Sequence, residues 1–172
     1  MRYARLFEPG SIGSLHLRNR LIHPPIVRNF ADGEGRVTPR YVAHLRRIAQ
    51  GGVGAIIVEA TFVAPGGKGF VHQLGIHTDQ TVPGLRRLAA AVHAEGARIG
   101  IQLFHGGRQA SQRVSGSQPV APSPIADPVV NEMPRELTVA EIRDIVDAFA
   151  AGARRAKRAG FDFIELHGAH GY

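Results

Sequence analysis

The chain alternates between short apolar runs and longer amphipathic segments. Four runs have the length of a strand: Arg20–Val27, Val53–Ala60, Arg98–Phe104 and Phe161–His167. A near-continuous apolar run suits a strand that is buried on both faces. Strands that alternate with helices predict βαβ units and a parallel sheet, so we expect an α/β fold with four parallel strands.

Local chemistry at the ends marks three helices between these strands. The first is predicted over Thr38–Gly51, where an N-cap and a first-turn proline precede the apolar positions and glycine ends them. The second is predicted over Thr81–Glu95 and stops before a glycine. The third, over Thr138–Gly160, opens with a capping box completed by Glu141.

Two further segments complete this outline. Gly10–Leu17 alternates weakly and predicts a small hairpin at the bottom of the sheet. His105–Leu137 is long and rich in proline. Loops of that length usually bind ligands or cover sites, so we expect a functional loop there.

The first strand distinguishes two folds that share this element order, a (β/α)8 barrel and a doubly wound sheet. A dinucleotide-binding unit needs a Gly-x-Gly-x-x-Gly turn after that strand, but Pro24 and Pro25 follow instead and supply no backbone N–H groups for a pyrophosphate. We therefore predict the N-terminal half of a (β/α)8 TIM barrel with a short N-terminal hairpin. Residues 1–172 would be a single partial domain containing strands one to four of eight.

Composition argues against nucleic acid and membrane partners. The 21 Lys+Arg and 14 Asp+Glu of the 172 residues give a net charge of +7. The basic residues are mostly arginine, scattered over helix faces with no basic tail, so we expect no nucleic acid partner. No apolar run is long enough for a signal peptide or a bilayer span, so we expect no membrane partner. Because cysteine is absent, disulfides and thiolate chemistry are excluded from this stretch, and we expect a cytoplasmic protein.

The residues that follow the strands are the candidates for chemistry, because a parallel barrel places its reactive groups at the carboxyl ends of its strands. The sharpest group follows the fourth strand, where His167, His170 and Tyr172 are separated by small residues. They can present two imidazoles and one phenol to a common point.

Three interpretations of this group are open. The histidines could be two ligands of a metal, with His105 or Glu59 as the third. They could only hydrogen-bond loop backbone. They could instead stabilise an anion that develops on a substrate carbonyl, with Tyr172 as proton donor, since a phenol of ordinary pKa about 10 is protonated at neutral pH.

Four motifs occur in order along the chain: Leu6–Pro9 with Leu17–Leu21, Gly51–Ala60, Gln102–Arg108 and Ala159–Tyr172. Together they resemble the old yellow enzyme family of FMN-dependent NAD(P)H oxidoreductases and ene-reductases. Members of that family are longer (β/α)8 barrels, so the chain resembles their N-terminal half. Residues 1–172 would then form a partial FMN-binding domain.

The resemblance implies roles for individual residues. The residues along or beside the isoalloxazine ring would be Pro24, Pro25, Ile26, Val27, Ala60 and His167, and Gln102 would hydrogen-bond the pyrimidine edge of the ring. His167 and His170 would hold the carbonyl or nitro oxygen of the substrate, Tyr172 would donate a proton, and Asn29 would line the substrate pocket. No metal is implied.

The activity implied by this resemblance is reduction of activated alkenes, either α,β-unsaturated carbonyl or nitro compounds, by ping-pong hydride transfer. FMN would be the cofactor and NADH or NADPH the hydride donor. A relationship to dienoyl-CoA reductases stays open. So do two other functions: a non-catalytic half-barrel that needs a partner half, and a metal-dependent barrel hydrolase that uses the two histidines. Unpaired sheet edges would favour a homo-oligomer.

Overall fold

A parallel sheet with helices on one side organises the computed structural model, which describes residues 3–172. Helices and strands follow one another as α1 (Ala4–Phe7), β1 (Gly10–Ile12), β2 (Leu15–Leu17), β3 (Ile22–His23), α2 (Pro39–Gln50), β4 (Ala55–Phe62), α3 (Val82–His93), β5 (Arg98–Phe104), α4 (Gln112–Ser115), β6 (Val120–Ala121), β7 (Arg135–Glu136), α5 (Val139–Ala159) and β8 (Phe163–Leu166). Three short 3₁₀ turns accompany them, at Pro65–Gly67, Asp79–Thr81 and Gly107–Gln109.

The main sheet has the strand order β3-β4-β5-β8, and every neighbouring pair is parallel. Spatial order therefore equals chain order, as in consecutive strands of a (β/α)8 barrel. This confirms the four parallel strands predicted from the apolar runs. At Gly100 in β5, an added Cβ would lie 2.2 Å from the Phe163 ring, so only glycine lets the β8 side chain pack there.

Strand bounds differ from the prediction at three places. β3 covers only two residues rather than Arg20–Val27, because prolines follow at once and have no N–H to continue the ladder. β4 continues to Phe62 past a bulge between Val58 and Thr61, so Ala60 lies inside the strand rather than at its end. β8 begins at Phe163, two residues later than expected.

Helices α2, α3 and α5 pack beside one another and cover the sheet. Their apolar faces and the buried strand residues form one core, whose fully buried members include Leu85, Leu88, Ile99 and Ile101. The predicted end signals are present. The Thr38 hydroxyl accepts a hydrogen bond from the Tyr41 N–H, and Thr138 with Glu141 forms a complete capping box.

The N-terminal hairpin of β1 and β2 is antiparallel, as predicted. The Arg18 side chain follows it and donates to three backbone carbonyl groups, those of Ala49, Val53 and Glu95. These carbonyls precede β4 and β5, so the hairpin lies at the end of the sheet opposite the candidate site.

The segment from His105 to Leu137 has more structure than a loop prediction implied. It contains α4 and the pair of β6 and β7, which run parallel over two residues each. The short helix α1 was not predicted either. Among residues 3–172, no helix combines the length and apolarity that a bilayer span requires.

Candidate active site

The predicted histidine pair and tyrosine come together directly after β8. His170 and Gly171 both have left-handed backbone, with φ of 61° and 74°, which turns the chain back on itself. The ring centroids of His167 and His170 lie 5.1 Å apart, and those of His167 and Tyr172 4.9 Å apart. A positive φ is uncommon outside glycine, and such strain is often found at functional sites.

Hydrogen bonds assign the tautomers of the two imidazoles. The Ala169 N–H donates to Nδ1 of His167 over 3.3 Å, which leaves the proton of that ring on Nε2. Nε2 of His167 then donates to Nδ1 of His170, also over 3.3 Å. The pKa of His167 is lowered, chiefly by burial and further by His170, so the ring is neutral near pH 7. The Nε2–H of His170 is thereby left as a hydrogen-bond donor at the end of this chain of bonds.

The Tyr172 phenol lies against the edge of an aromatic ring that the sequence did not single out. Phe104, the last residue of β5, contacts it at a centroid distance of 4.6 Å and contacts His167 at 5.5 Å. Burial raises the pKa of Tyr172, and the Asp127 carboxylate raises it further. The phenol therefore keeps its proton at neutral pH and can act as a donor.

The turn after β5 holds the backbone of this cluster. Nε2 of Gln109 donates to the carbonyl of His170 over 2.7 Å. Gly107 packs so closely that an added Cβ would lie 3.3 Å from the carbonyl carbon of Tyr172. Sequence reasoning missed Gln109, although it comes one residue after the quoted Gln102–Arg108 motif.

The residues after β3 present an apolar surface beside the cluster. Val27 packs against Ala60, Phe62 and Phe104, all of which are buried. Pro25 is half-buried and Ile26 is exposed, whereas Pro24 faces solvent. Within residues 3–172, neither Pro24 nor Ile26 makes a hydrogen bond to the histidine pair.

A buried carboxylate fixes the position of this segment. Glu59 is 2% exposed, and its two oxygens accept from the backbone N–H groups of Arg28 over 2.7 Å and Leu74 over 3.0 Å. Burial raises the pKa of Glu59, while those hydrogen bonds lower it. The sequence leaves Glu59 open as a third metal ligand beside the two histidines. Within residues 3–172, no group of three His, Cys, Asp or Glu side chains could hold a metal ion.

Gln102 lies on β5 opposite Glu165 of β8. Its amide nitrogen donates to the Glu165 carboxylate over 2.5 Å. One amide hydrogen and the amide oxygen are left for another partner, so Gln102 can still act as both donor and acceptor.

The His105 ring is held by the turn that follows β5. Its Nδ1 accepts a hydrogen bond from the Gly107 N–H, and the ring packs against Gly67.

These features fit a flat heteroaromatic ring such as that of FMN. The surface of Val27, Ala60 and Phe104 is apolar and built partly from a small side chain. Gln102, two residues before Phe104 on β5, has free amide atoms, and the His167 ring contacts Phe104. A planar ring with donors and acceptors at its edge needs that combination of apolar area and a few placed polar groups.

Asn29 lies farther along the same segment. Its backbone is left-handed with a φ of 55°, which asparagine tolerates better than most residues. Asn29 and Tyr172 both line one open cavity of about 540 Å³. The predicted substrate residue and the predicted proton donor therefore share a cavity.

Comparison with known proteins identifies a family of flavin oxidoreductases. Residues 5–172 match the model of the NADH:flavin oxidoreductase / NADH oxidase family. The chain is 45% identical over 99% of its length to an NADH oxidase of Thermoanaerobacter brockii, of which it covers 26%. It is 46% identical over 97% of its length to an NADPH dehydrogenase of Geobacillus sp. (strain WCH70), of which it covers 48%. The chain thus spans between about a quarter and about half of the length of these relatives.

Solved structures agree with the sequence relatives. A 2-naphthoyl-CoA reductase in complex with 2-naphthoyl-CoA matches with a TM-score of 0.95 at 32% identity, over 99% of this chain and 28% of that one. An old yellow enzyme homologue from Zymomonas mobilis matches with a TM-score of 0.86 at 32% identity, over 97% of this chain and 49% of that one. The match confirms the expected N-terminal half of a barrel.

Proposed function

The chain belongs to the NADH:flavin oxidoreductase / NADH oxidase family, and on this basis we propose that residues 1–172 form the FMN-binding half of an ene-reductase. The observation that carries the proposal is the cluster of His167, His170 and Tyr172 beside the Val27 and Ala60 surface. Two hydrogen-bond donors there lie next to a surface suited to a flat cofactor. Proteins of this family use FMN with NADH or NADPH.

The proposed cofactor contacts follow from the described geometry. The apolar side of the ring would lie on the segment Pro24–Val27 and on Ala60, and the free amide atoms of Gln102 would meet its polar edge. Both nitrogens of His167 are already hydrogen-bonded, so its ring would lie beside the flavin through its carbon edge. Bound FMN supplies hydride transfer between a nicotinamide and an alkene carbon. The protein side chains supply position, hydrogen bonds and a proton.

The substrate would be an alkene conjugated to a carbonyl or nitro group. The Nε2–H of His170 would donate to the oxygen of that group, and His167 holds the required tautomer by donating to Nδ1 of His170. Such donors stabilise the negative charge that develops on the oxygen. Tyr172, protonated at neutral pH, would deliver a proton to the α-carbon. The nucleotide and the alkene would occupy the site in turn, in a ping-pong order.

Visible absorbance after gel filtration tests whether these residues hold FMN. The purified chain is incubated with FMN and separated from free flavin, and we expect flavin to co-elute at one defined size. Ala60→Leu, which enlarges a buried side chain of the cofactor surface, should lose the flavin. Ala90→Leu, on an exposed face of α3, should keep it. A colourless but folded wild-type chain would instead favour the half-barrel that needs a partner half.

The two half-reactions of flavin-loaded protein test the role of Tyr172. Tyr172→Phe removes only the phenol oxygen, so we expect alkene reduction to slow by about 10²-fold, as for other positioned general acids. Reduction of the flavin by NAD(P)H should be unchanged. Equal slowing of both half-reactions would contradict a proton-donor role.

A further inference from the structure

We propose that the substrate carries an apolar tail that ends in an anionic group, and that this tail lies in a groove between Tyr172 and Arg113. The proposal rests on the proposed function, since it assigns a substrate class to the same site. We call this cavity the Tyr172 groove, and the residues that line it include Asn29, Phe70, Val71, Arg113, Val129 and Tyr172.

The groove is far larger than a small conjugated alkene needs. It holds about 540 Å³, within the range of pockets that enclose drug-sized ligands. Its walls come from the segment after β4, from α4 and from the loop before β7. Three apolar side chains face solvent along it: Phe70 is 36%, Val71 55% and Val129 89% exposed. Clustered exposed apolar side chains commonly mark a binding surface.

The charge in the groove has one sign. Arg113 lines it, and no aspartate or glutamate does. Among residues 3–172, the Arg113 guanidinium makes no hydrogen bond or ion pair, whereas Arg46 and Arg155 each pair with a carboxylate. The Glu132 carboxylate, which lies near α4, accepts from the Gln112 N–H instead. A free guanidinium beside an apolar surface is suited to a carboxylate or phosphate.

The position of Tyr172 connects this groove to the chemistry. Tyr172 lines the groove together with Asn29, and its ring is in contact with His167. A molecule whose conjugated end lies at the histidine pair can therefore extend its tail past Tyr172 into the groove. Arg113 would then pair with the charged end of the tail.

Binding of saturated probes tests the groove without requiring turnover. Octanoate, octyl phosphate and neutral octanamide are titrated into the isotope-labelled chain, and amide chemical shifts report the binding site and the dissociation constant. We expect both anions to shift resonances around Arg113 and Val129 and to bind about fivefold more tightly than octanamide. A difference between the two anions would indicate whether a carboxylate or a phosphate ends the tail.

A matched pair of variants isolates the arginine. Arg113→Gln should remove the preference for the anions, whereas Arg143→Gln, on an exposed face of α5, should preserve it. Octanamide binding as tightly as octanoate, an equal loss in both variants, or no shifts in the groove would each overturn the proposal. Loss of flavin binding with intact groove titrations would contradict the proposed function alone. If the protein reduces enones that have no tail but octanoate does not bind in the groove, only the proposal of an anionic tail would be contradicted.

Discussion

Two half-buried histidines, on β3 and α2, each have one buried ring nitrogen without a hydrogen-bond partner among residues 3–172. Nδ1 of His23 and Nε2 of His44 have no hydrogen-bond partner among the described residues. Burial lowers the pKa of both rings, and the nearby Arg28 lowers each further. His44 also faces Arg40, and His23 faces His44. Protonation of either ring would place a new cation beside existing ones.

This arrangement predicts a loss of stability on mild acidification. Both histidines have a folded-state pKa below the unfolded value of about 6.5, so the unfolded chain binds more protons as pH falls below that value. The stabilisation that the two neutral rings contribute to the folded state is complete above about pH 6.5. It declines as the pH falls towards the folded-state pKa values. We expect the free energy of unfolding in urea to fall between about pH 7 and about pH 5, and to fall less in His44→Gln. His16→Gln, at an exposed ring, should leave the wild-type profile unchanged; an identical profile in His44→Gln would contradict the prediction.

Some residues of the candidate site could be predicted from the sequence and others could not. His167, His170 and Tyr172 share one short segment, so spacing alone could bring them together. Phe104 and Gln109 belong to another βα unit and meet this segment only because β5 pairs with β8. Nothing in the residue types of Phe104 or Gln109 signals that contact.

Whole elements were predictable where side-chain periodicity and end signals agree. β5 covers the predicted residues, and α2 and α5 begin after their N-cap threonines. β3 is shorter than its apolar run, because proline ends the ladder whatever the hydropathy of the residues that follow. β6 and β7 have two residues each, too few for a periodic pattern, and their pairing depends on how the long segment folds back.

The capping box of α5 provides a test at the scale of one element. The Thr138 hydroxyl accepts from the Glu141 N–H. The Glu141 carboxylate pairs with Arg135 and accepts from the Thr138 N–H, and these contacts lower its pKa to about 2. Thr138→Ala removes one half of the box and should cost about 1 kcal/mol of unfolding free energy. In Thr78→Ala, where the hydroxyl makes no hydrogen bond within residues 3–172, the loss should stay below about 0.5 kcal/mol. Equal losses, measured by urea denaturation, would show that the box contributes nothing.

At the scale of the whole molecule, Glu59 joins parts of the chain that are distant in sequence. It lies on β4, one of the two inner strands of the main sheet. It accepts from Arg28 in the segment after β3 and from Leu74 in the segment after β4. The phenol of Tyr41 in α2 is fully buried, and its pKa is raised chiefly by that burial and further by the nearby Glu59 carboxylate. One buried carboxylate thereby sets the segment that carries Val27 relative to the sheet, and the proposed cofactor surface depends on it.

Glu59→Gln tests this dependence, because it keeps the size of the side chain but leaves one acceptor oxygen for two backbone N–H donors. A buried N–H without an acceptor costs about 1–3 kcal/mol, so we expect the free energy of unfolding to fall by about 2 kcal/mol. The segment after β3 should also loosen, which amide hydrogen exchange at Arg28 and neighbouring residues would detect as faster exchange. Flavin retention should weaken at temperatures where the variant is still folded. Glu136→Gln, at an exposed carboxylate on β7, should change none of these quantities. If Glu59→Gln lost stability without faster exchange near Arg28, the carboxylate would stabilise the core without positioning the cofactor surface.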